Sequence, residues 1–309
     1  MSPAPAPAAK PGTLQQNDVV IDSVSDTARW AAIYRAAESA RADALFDDAY
    51  AARLAGDRGA AIAARAPRQM LGGWQVVART VAIDDLVRTA LAEGCDRVLC
   101  LAAGLDMRPY RLAPPTSVTW IEADLPAVIE EKERIIVGET ATCRLIRESV
   151  DLADPSARGA FLDRALAGAA RTLIIAEGLL AYLDEAVVEA LARDLARSEV
   201  KWWAFDILSP ATRNMVMRAM SADLANAPMR FAPPNGVGYF EALGWKTVDI
   251  VSVFAEAARL GRLPWFLRLL ARLPLPQPDP RRLGGAHWSA VVRCERRADR
   301  AAGRKTVGE

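Results

Sequence analysis

The sequence contains very little histidine and cysteine, the residues from which most protein zinc sites are built. Among its 309 residues are one histidine, His287, and four cysteines, none of which forms a Cys-x-x-Cys pair. A zinc site of the His/Cys type is therefore not expected, and we predict no metal. So few cysteines in a chain of this length also argue against a disulfide framework. This indicates a reducing compartment, and we expect the protein to be cytoplasmic.

The sequence also lacks an excess of charge of either sign and a long apolar run. Lys and Arg total 39 and Asp and Glu total 38, so we expect neither a nucleic acid nor a membrane as a partner. No apolar run approaches the length that spans a bilayer, and the Ala/Pro-rich start lacks the apolar core of a signal peptide. Hydrophobic residues make up 52% of the chain, enough for one large core. We expect a monomer or a homodimer.

Composition and periodicity change along the chain and suggest four parts. We predict a disordered lead-in at 1–20, an N-terminal helical lid at 21–73, a main domain at 74–295 and a charged tail at 296–309. Within the main domain, a stretch at about 209–245 is first helical and then irregular and Pro-rich. We interpret it as an insertion that covers the ligand site.

The main domain alternates short apolar runs with amphipathic stretches of helical spacing. The predicted strands are 97–101, 118–121, 143–146, 172–176, 201–205, 246–251 and 287–293. Strands that alternate with helices are typical of a parallel sheet covered on both faces. We therefore predict an α/β fold, Rossmann-like, with a seven-stranded, mostly parallel sheet.

The ends of the first two predicted strands carry the residues of a nucleoside site. The first strand ends in a small-residue turn, Ala102-Ala103-Gly104, and about twenty residues later the second ends in Glu122-Ala123-Asp124. An acid at that place commonly accepts hydrogen bonds from a ribose. A dinucleotide would need a fuller glycine-rich loop for its phosphates, so a nucleoside without phosphates is favoured. A plain tight turn, with Glu122 and Asp124 as acids at the start of a helix, is the alternative.

Several blocks in order resemble a known family, the class I S-adenosylmethionine-dependent methyltransferases of the leucine carboxyl methyltransferase type. This group includes bacterial O-methyltransferases of polyketide and other secondary metabolism. The resemblance extends over about 22–293. The blocks that carry it are 23–28, 34–39, 44–48, 78–80, 104–112, 122–126, 151–152, 176–183 and 244–245.

The resemblance implies S-adenosylmethionine as the cofactor and a set of residues that bind it. Arg79 is expected to bind the methionyl carboxylate, Asp124 the ribose, Asp151 with the Leu152 backbone the adenine edge, and Glu177 the cofactor's amino group. The predicted cofactor-binding residues are Arg35, Arg79, Ala102, Gly104, Asp106, Glu122, Asp124, Asp151, Leu152 and Glu177.

Methyl transfer from a sulfonium needs alignment and exclusion of water more than acid catalysis. The predicted catalytic residues are Glu177, Tyr182 and His287, with Tyr182 or Tyr34 placing an aromatic face near the sulfonium. A carboxylate acceptor needs no base, whereas an alcohol or phenol benefits from one, and His287, Glu177 or Asp206 is then the candidate. A structural role in a terminal strand is the alternative for His287. The predicted acceptor-pocket residues are Met215, Met217, Met220, Met229, Phe231 and Tyr239. Plain packing of a helical lid is the alternative for this segment.

The sequence thus predicts an O-methyltransferase that acts on a hydroxyl or carboxyl oxygen of a small-molecule acceptor from secondary metabolism. Two alternatives are kept. One is a protein C-terminal carboxyl methyltransferase, and the other is a homologue that binds the cofactor but no longer methylates. Ala102 and Met107 support the last alternative, because the family usually has glycine and threonine there.

Overall fold

One seven-stranded sheet organises the molecule. The computed structural model describes residues 24–65, 72–220, 224, 226–273 and 277–297, so the predicted lead-in and the tail from 298 onward lie outside the described residues. The strands are β1 (Arg97–Leu101), β2 (Thr119–Asp124), β3 (Arg144–Ser149), β4 (Thr172–Ala176), β5 (Val200–Leu208), β6 (Trp245–Ser252) and β7 (Ser289–Arg296). Their order is β3-β2-β1-β4-β5-β7-β6. The first five are parallel and β7 is antiparallel to both neighbours, which confirms the predicted Rossmann-like architecture.

Eleven helices are described around this sheet. They are α1 (Val24–Ser39), α2 (Ala51–Ala64), α3 (Trp74–Ala92), α4 (Arg108–Arg111), α5 (Pro126–Ile135), α6 (Pro155–Leu166), α7 (Glu185–Asp194), α8 (Pro210–Ala219), α9 (Val237–Ala242), α10 (Val253–Arg259) and α11 (Trp265–Ala271). A 3₁₀ turn, Leu180–Tyr182, follows β4. None of the described helices has both the length and the apolarity needed to cross a bilayer.

Side chains of the central strands alternate between two apolar layers. In β1, Val98 and Cys100 pack with α3 on one face, whereas Leu99 and Leu101 pack with α6, α7 and α9 on the other. All four are buried. A strand covered on both faces must be apolar at every position, which is why the runs in the sequence are continuous rather than alternating.

A cluster of aromatic rings fixes the last strands against α9. The Phe205 and Phe240 centroids lie 4.4 Å apart, and those of Trp203 and Trp245 lie 5.1 Å apart. Phe231 and Tyr239 join the same cluster, with their centroids 5.1 Å apart. Aromatic rings at these separations prefer tilted and edge-to-face contacts, as seen here.

The N-terminal helices α1 and α2 pack against one another and over the carboxyl edge of the sheet. The Arg58 guanidinium joins them through a two-point pair with the Asp26 carboxylate, at 2.5 and 2.7 Å. Gly73, at the start of α3, has φ +60°, and a Cβ there would lie 2.1 Å from Cγ of Tyr34. Only glycine leaves room for the Tyr34 ring at that position.

The chain between β6 and β7 is helical, and the last strand begins later than in the sequence-based prediction. These strands pair antiparallel, and α10 and α11 lie between them in the chain. His287 was expected inside the last strand, whereas β7 begins at Ser289. His287 is therefore an exposed loop residue that immediately precedes the buried Trp288.

Candidate active site

A large cavity lies where the carboxyl ends of β1, β2, β4 and β5 meet the helical cover. Its volume is about 900 Å³, near the upper end of the range of small-molecule sites. Polar side chains line the end next to the sheet, and apolar side chains from α1, α8, α10 and α11 line the end under the cover. A shallower depression of about 580 Å³ lies beside it along α8 and shares Met215, Ala219 and His287 with it.

The turn after β1 forms one wall of the cavity. Ala102 and Gly104 both have φ +49°, a left-handed conformation that is costly for a residue with a side chain. The Gly104 N–H donates to Oδ2 of Asp124 at 2.6 Å, and the Leu125 N–H donates to Oδ1 of the same carboxylate at 2.7 Å. The end of β2 therefore fixes the turn after β1, and both segments line the cavity.

Asp124 is largely buried, and burial raises the pKa of its carboxyl against the opposing effect of the two backbone donors. Each carboxylate oxygen has a further lone pair beyond the one used by the backbone. Asp124 can therefore accept a ligand hydroxyl group without losing its backbone contacts, as predicted for a ribose-binding acid.

Glu122 is placed differently from Asp124. It is fully buried, does not line the cavity, and its two oxygens accept from Lys132 Nζ and Arg147 Nε, each at 2.8 Å. Lys132 Nζ also donates to the carbonyl of Asp106. The prediction that Glu122 contacts the cofactor therefore needs correction. Glu122 lies two residues before Asp124 in β2, where Lys132 of α5 and Arg147 of β3 cover it. Through Lys132 it is connected to the carbonyl of Asp106 in the turn after β1.

Asp151 and Leu152 follow β3 and form the opposite side of this polar end. The Asp151 carboxylate is exposed, and its Oδ1 accepts from the Ala153 N–H at 2.9 Å. The Leu152 side chain is buried. Since β2 and β3 are adjacent and parallel, Asp124 and Asp151 lie on the same edge of the sheet. Both acids line the same cavity, and their contact with a cofactor stays a prediction.

Three charged side chains form the floor between β4 and β5. Arg79 Nε donates to Oε1 of Glu177 at 2.8 Å, and Arg79 Nη1 donates to Oδ2 of Asp206 at 3.0 Å. The other oxygen of Asp206 accepts from the Gly178 N–H at 2.5 Å. Two of the donor nitrogens of Arg79 are thus already engaged by the protein. The sequence suggested neither ion pair, because the partners lie 98 and 127 residues further along the chain.

Glu177 is held as an anion by arginines on both of its oxygens. Its Oε2 accepts from Arg108 Nη1 at 2.6 Å, while Oε1 accepts from Arg79. Burial acts to raise the pKa of Glu177, but the two guanidinium groups outweigh it and lower that pKa below its ordinary value of 4.5. A carboxylate stabilised in this way is a poor general base.

Arg108 is a site residue to which the sequence analysis gave no role. Its side chain is buried, and besides Glu177 it donates to Oδ1 of Asp84 at 2.7 Å and to Oδ2 of Asp106 at 2.8 Å. Burial opposes ionisation of Asp106, yet the neighbouring cations, Arg108 first, lower its pKa. The expected ligand Asp106 lines the cavity and is at the same time anchored to this buried network.

Arg35 connects the N-terminal helices to the turn. Its Nε donates to Oδ2 of Asp48 at 2.8 Å, and its Nη2 donates to the carbonyl of Leu105 at 2.6 Å. Arg35 lines the cavity, but it is buried and these two contacts engage it. Its visible role is to hold α1 over the turn after β1.

Two tyrosines lie between the polar and apolar ends of the cavity. Tyr182 hydrogen-bonds with Thr27 of α1, and burial raises the pKa of its hydroxyl. Tyr34 packs near Trp30, with 6.0 Å between ring centroids. Both tyrosines line the cavity, as expected for aromatic faces near a bound cation.

The apolar end differs in part from the predicted acceptor pocket. Met215 and Met229 line it, whereas Met217 and Met220 pack behind it against α1. Phe231 and Tyr239 do not line it, because they belong to the aromatic core. The structure adds side chains from the segment between β6 and β7 that sequence reasoning missed. These are Val253, Phe254, Leu267, Leu270, Ala271 and Leu273.

His287 lies at the rim, between the main cavity and the depression along α8. His287 is exposed. The other two predicted catalytic residues, Glu177 and Tyr182, follow β4 in the chain and also line the cavity. In the described part of the chain, no three His, Cys, Asp or Glu side chains are grouped so that they could hold a metal ion.

Comparison with known proteins gives consistent matches. The sequence profile of the family described as leucine carboxyl methyltransferase matches residues 28–196. A Streptomyces coelicolor protein, named provisionally as an S-adenosyl-L-methionine-dependent methyltransferase, is 32% identical over 76% of this chain and 87% of its own length. A Streptomyces avermitilis protein with the same provisional name is 30% identical over 81% and 92%. Among solved structures, a provisionally named methyltransferase from Thermobifida fusca YX has a TM-score of 0.56, with 15% identity over 92% of this chain and 97% of that one.

Proposed function

The chain belongs to the leucine carboxyl methyltransferase family and is an S-adenosylmethionine-dependent methyltransferase; from that premise we propose that it methylates an oxygen atom of a small apolar acceptor. The observation that carries the proposal is the division of the cavity. Its acidic end lies against the strand ends, and its apolar end lies under the helical cover. A polar cofactor and an apolar acceptor can meet between the two.

The residues of the polar end fit a cofactor of this kind. Asp124 has lone pairs for a ribose, and Asp151 and Leu152 flank it on the adenine side. The turn after β1 lacks the fuller glycine-rich loop that the phosphates of a dinucleotide need, since Met107, Arg108 and Pro109 occupy its later positions. We assign the methionine end to Arg79 and Glu177. When bound, S-adenosylmethionine supplies a methyl group on a positively charged sulfur.

The carboxylates and aromatic faces of the chain suit that positive charge. Glu177, Asp206 and Asp106 line the polar end, and Tyr34 and Tyr182 line the same cavity. A ring beside a cation stabilises it by about 0.5–2 kcal/mol. The larger part of the rate enhancement, up to about 7–11 kcal/mol, comes from alignment of the reactants in the covered cavity.

The state of Glu177 bears on the type of acceptor oxygen. Both of its oxygens accept from arginines and its pKa is lowered, so it does not readily remove a proton. We therefore favour a carboxylate, which needs no base, over an alcohol. His287 at the rim is the base that we assign if the acceptor is a phenol. A natural product with an apolar body fits the cavity better than a peptide terminus, because the end under the cover is lined mainly by aliphatic and aromatic side chains.

Calorimetry tests the cofactor part of this proposal. Wild type is expected to bind S-adenosylmethionine and its demethylated product, and not a nicotinamide dinucleotide. Arg79→Ala should weaken cofactor binding at least about tenfold, since a charge-assisted pair contributes about 1.5–3 kcal/mol. Arg88→Ala is the matched control, because Arg88 is an exposed residue of the same helix that pairs with Asp85. Equal affinity of Arg79→Ala and wild type would refute the assignment of Arg79.

Turnover tests the acceptor part. Transfer of labelled methyl groups is measured with apolar carboxylic acids, the matching alcohols and a peptide with a free C-terminal carboxylate. We expect the acids to be methylated and the peptide to be inert. Cofactor binding without turnover on any acceptor would instead favour a homologue that no longer methylates.

A further inference from the structure

The segment that follows α10 has a composition unlike the chain as a whole. Between Glu256 and Asp279 the sequence contains four arginines and no acidic residue, together with one tryptophan, one phenylalanine and seven leucines. Positive charge is thus concentrated locally in a chain whose charges nearly cancel overall. Arginines interspersed with Trp, Phe and Leu are the pattern of helices that lie in a lipid interface.

Helix α11, in the middle of this segment, has no buried residue. The side chain of Trp265 is 74% exposed and that of Leu269, one helical turn later, is 56% exposed. Leu273, just beyond the helix, is 55% exposed. Single exposed apolar residues are ordinary, but a contiguous apolar face marks an interaction surface.

The other side of the same segment lines the cavity. Leu267 and Leu270 contribute to the apolar end described above, whereas Trp265 and Leu269 do not. Leu273 belongs to both sides, because it is exposed and also lines the cavity. Helix α11 is therefore a thin wall, with the acceptor end of the cavity behind it and an exposed apolar face in front.

The charges on this segment favour one kind of binding partner for its exposed face. Arg259 and Arg262 pair with the carboxylates of Glu256 and Glu38. Arg268 donates only to backbone carbonyls, and Arg272 is exposed and has no carboxylate partner within the described part of the chain. A second copy of the chain would bring these uncompensated arginines together, which is unfavourable. A surface with negative charges and an apolar interior complements both features.

We propose that α11 and its flanks, residues 263–273, bind an anionic lipid surface, and that the acceptor is a lipid-soluble molecule that enters the cavity past α11. The second half of this statement rests on the proposed function, and the first half does not. The near balance of charges led us to expect no membrane partner. That expectation was drawn from a sum over the whole chain, in which a short basic segment does not show.

Vesicle flotation tests the lipid surface without any need for activity. The full chain is mixed with vesicles of phosphatidylcholine alone, or of an equimolar mixture with phosphatidylglycerol. We expect binding to the mixed vesicles, about tenfold weaker binding for Trp265→Ser, and about fivefold weaker binding for Arg272→Gln on the anionic vesicles only. Val137→Ser is the matched control, because Val137 is a 79% exposed apolar residue outside this segment. It should bind as wild type does.

Other outcomes overturn the proposal. These are no binding to the mixed vesicles, equal binding of Trp265→Ser and wild type, or a dimer that Trp265→Ser converts to a monomer in light scattering. Cofactor binding by calorimetry separates this test from that of the proposed function. Binding of S-adenosylmethionine without binding to vesicles would support the proposed function and refute the lipid surface. Binding to vesicles without binding of S-adenosylmethionine would support the lipid surface and refute the proposed function.

Discussion

Replacement of Gly73 by alanine should reveal how tightly the N-terminal helices are fitted to the cavity. Gly73 has φ +60°, so an alanine there costs about 1–2 kcal/mol from its backbone conformation alone. Its Cβ would in addition lie 2.1 Å from Cγ of Tyr34 and 2.4 Å from Cδ1, closer than atoms can approach. Displacement of a buried ring of this size adds about 1–3 kcal/mol. The expected total loss of stability is about 2–5 kcal/mol.

The neighbouring glycine provides the control. Gly72 also has a positive φ, +74°, but a Cβ there would meet no atom of the described residues within 4 Å. Gly72→Ala should therefore show the backbone cost without the clash. Urea unfolding of both variants, followed by circular dichroism, gives the difference directly. Since Tyr34 lines the cavity, Gly73→Ala should also raise the KM for the acceptor, whereas Gly72→Ala should not. Losses of stability that agree within about 0.5 kcal/mol would refute the argument from the Tyr34 ring.

Three further predictions concern the buried charges and thiols. Glu177→Gln should lower the free energy of unfolding by about 2 kcal/mol near pH 7. Because the folded-state pKa of Glu177 is depressed, the difference from wild type should be constant above about pH 5 and should shrink as the pH falls below 4.5; a pH-independent difference in denaturant titrations would contradict the assigned ion pairs. Lys132→Met removes one of the two cations bound to the buried Glu122 and should cost about 1.5–3 kcal/mol, whereas Lys246→Met, at an exposed position, should change stability by less than about 0.5 kcal/mol in the same unfolding assay. Burial raises the pKa of Cys95 to about 11 and that of Cys294 to about 12, so a disulfide reagent at pH 8 should label the native protein slowly and all four cysteines readily in guanidinium chloride; fast native labelling would show that the thiols are accessible.

The strands and the acids at their ends were predictable because both depend on local pattern. The segment Thr172–Ala176 is buried at every position, and such a short run of mostly apolar residues can be recognised from the sequence alone. Asp124 ends β2 and Asp151 follows β3 by two residues, so the parallel pairing of these strands brings both acids to one edge. Here the rules of chain topology carry the inference.

The partners of the charged groups were not predictable in the same way. Arg35 and Arg79 were expected to bind ligand, yet their contacts within the protein come from residues far along the chain. Glu122 and Asp124 are only two residues apart, and depth in the sheet alone distinguishes them. Sequence spacing indicates which face of the sheet a side chain is on, but not which residues pack over it. Those neighbouring residues decide whether an acid can contact a ligand or is enclosed by ion pairs within the protein.

The same limit applies to the apolar residues. Phe231 and Leu270 are equally hydrophobic in the sequence, but one packs in the aromatic core and the other lines the cavity. Helices α10 and α11 line the cavity between β6 and β7 in the chain, and no local pattern in the sequence indicates that position.

The place of β7 between β5 and β6 has a consequence for how the protein is made. Strand β6 leaves the ribosome before α10, α11 and β7, and within the described sheet β7 is its only hydrogen-bonded neighbour. Until β7 emerges, the nascent chain can form a five-stranded sheet in which the edge of β5 is unpaired. Strand β6, which is partly apolar, then has no strand to pair with. A chain that ends before Ser289 would leave β5 and β6 each with an unpaired edge. Premature termination in this stretch should therefore yield chains that bind chaperones rather than shortened active enzymes.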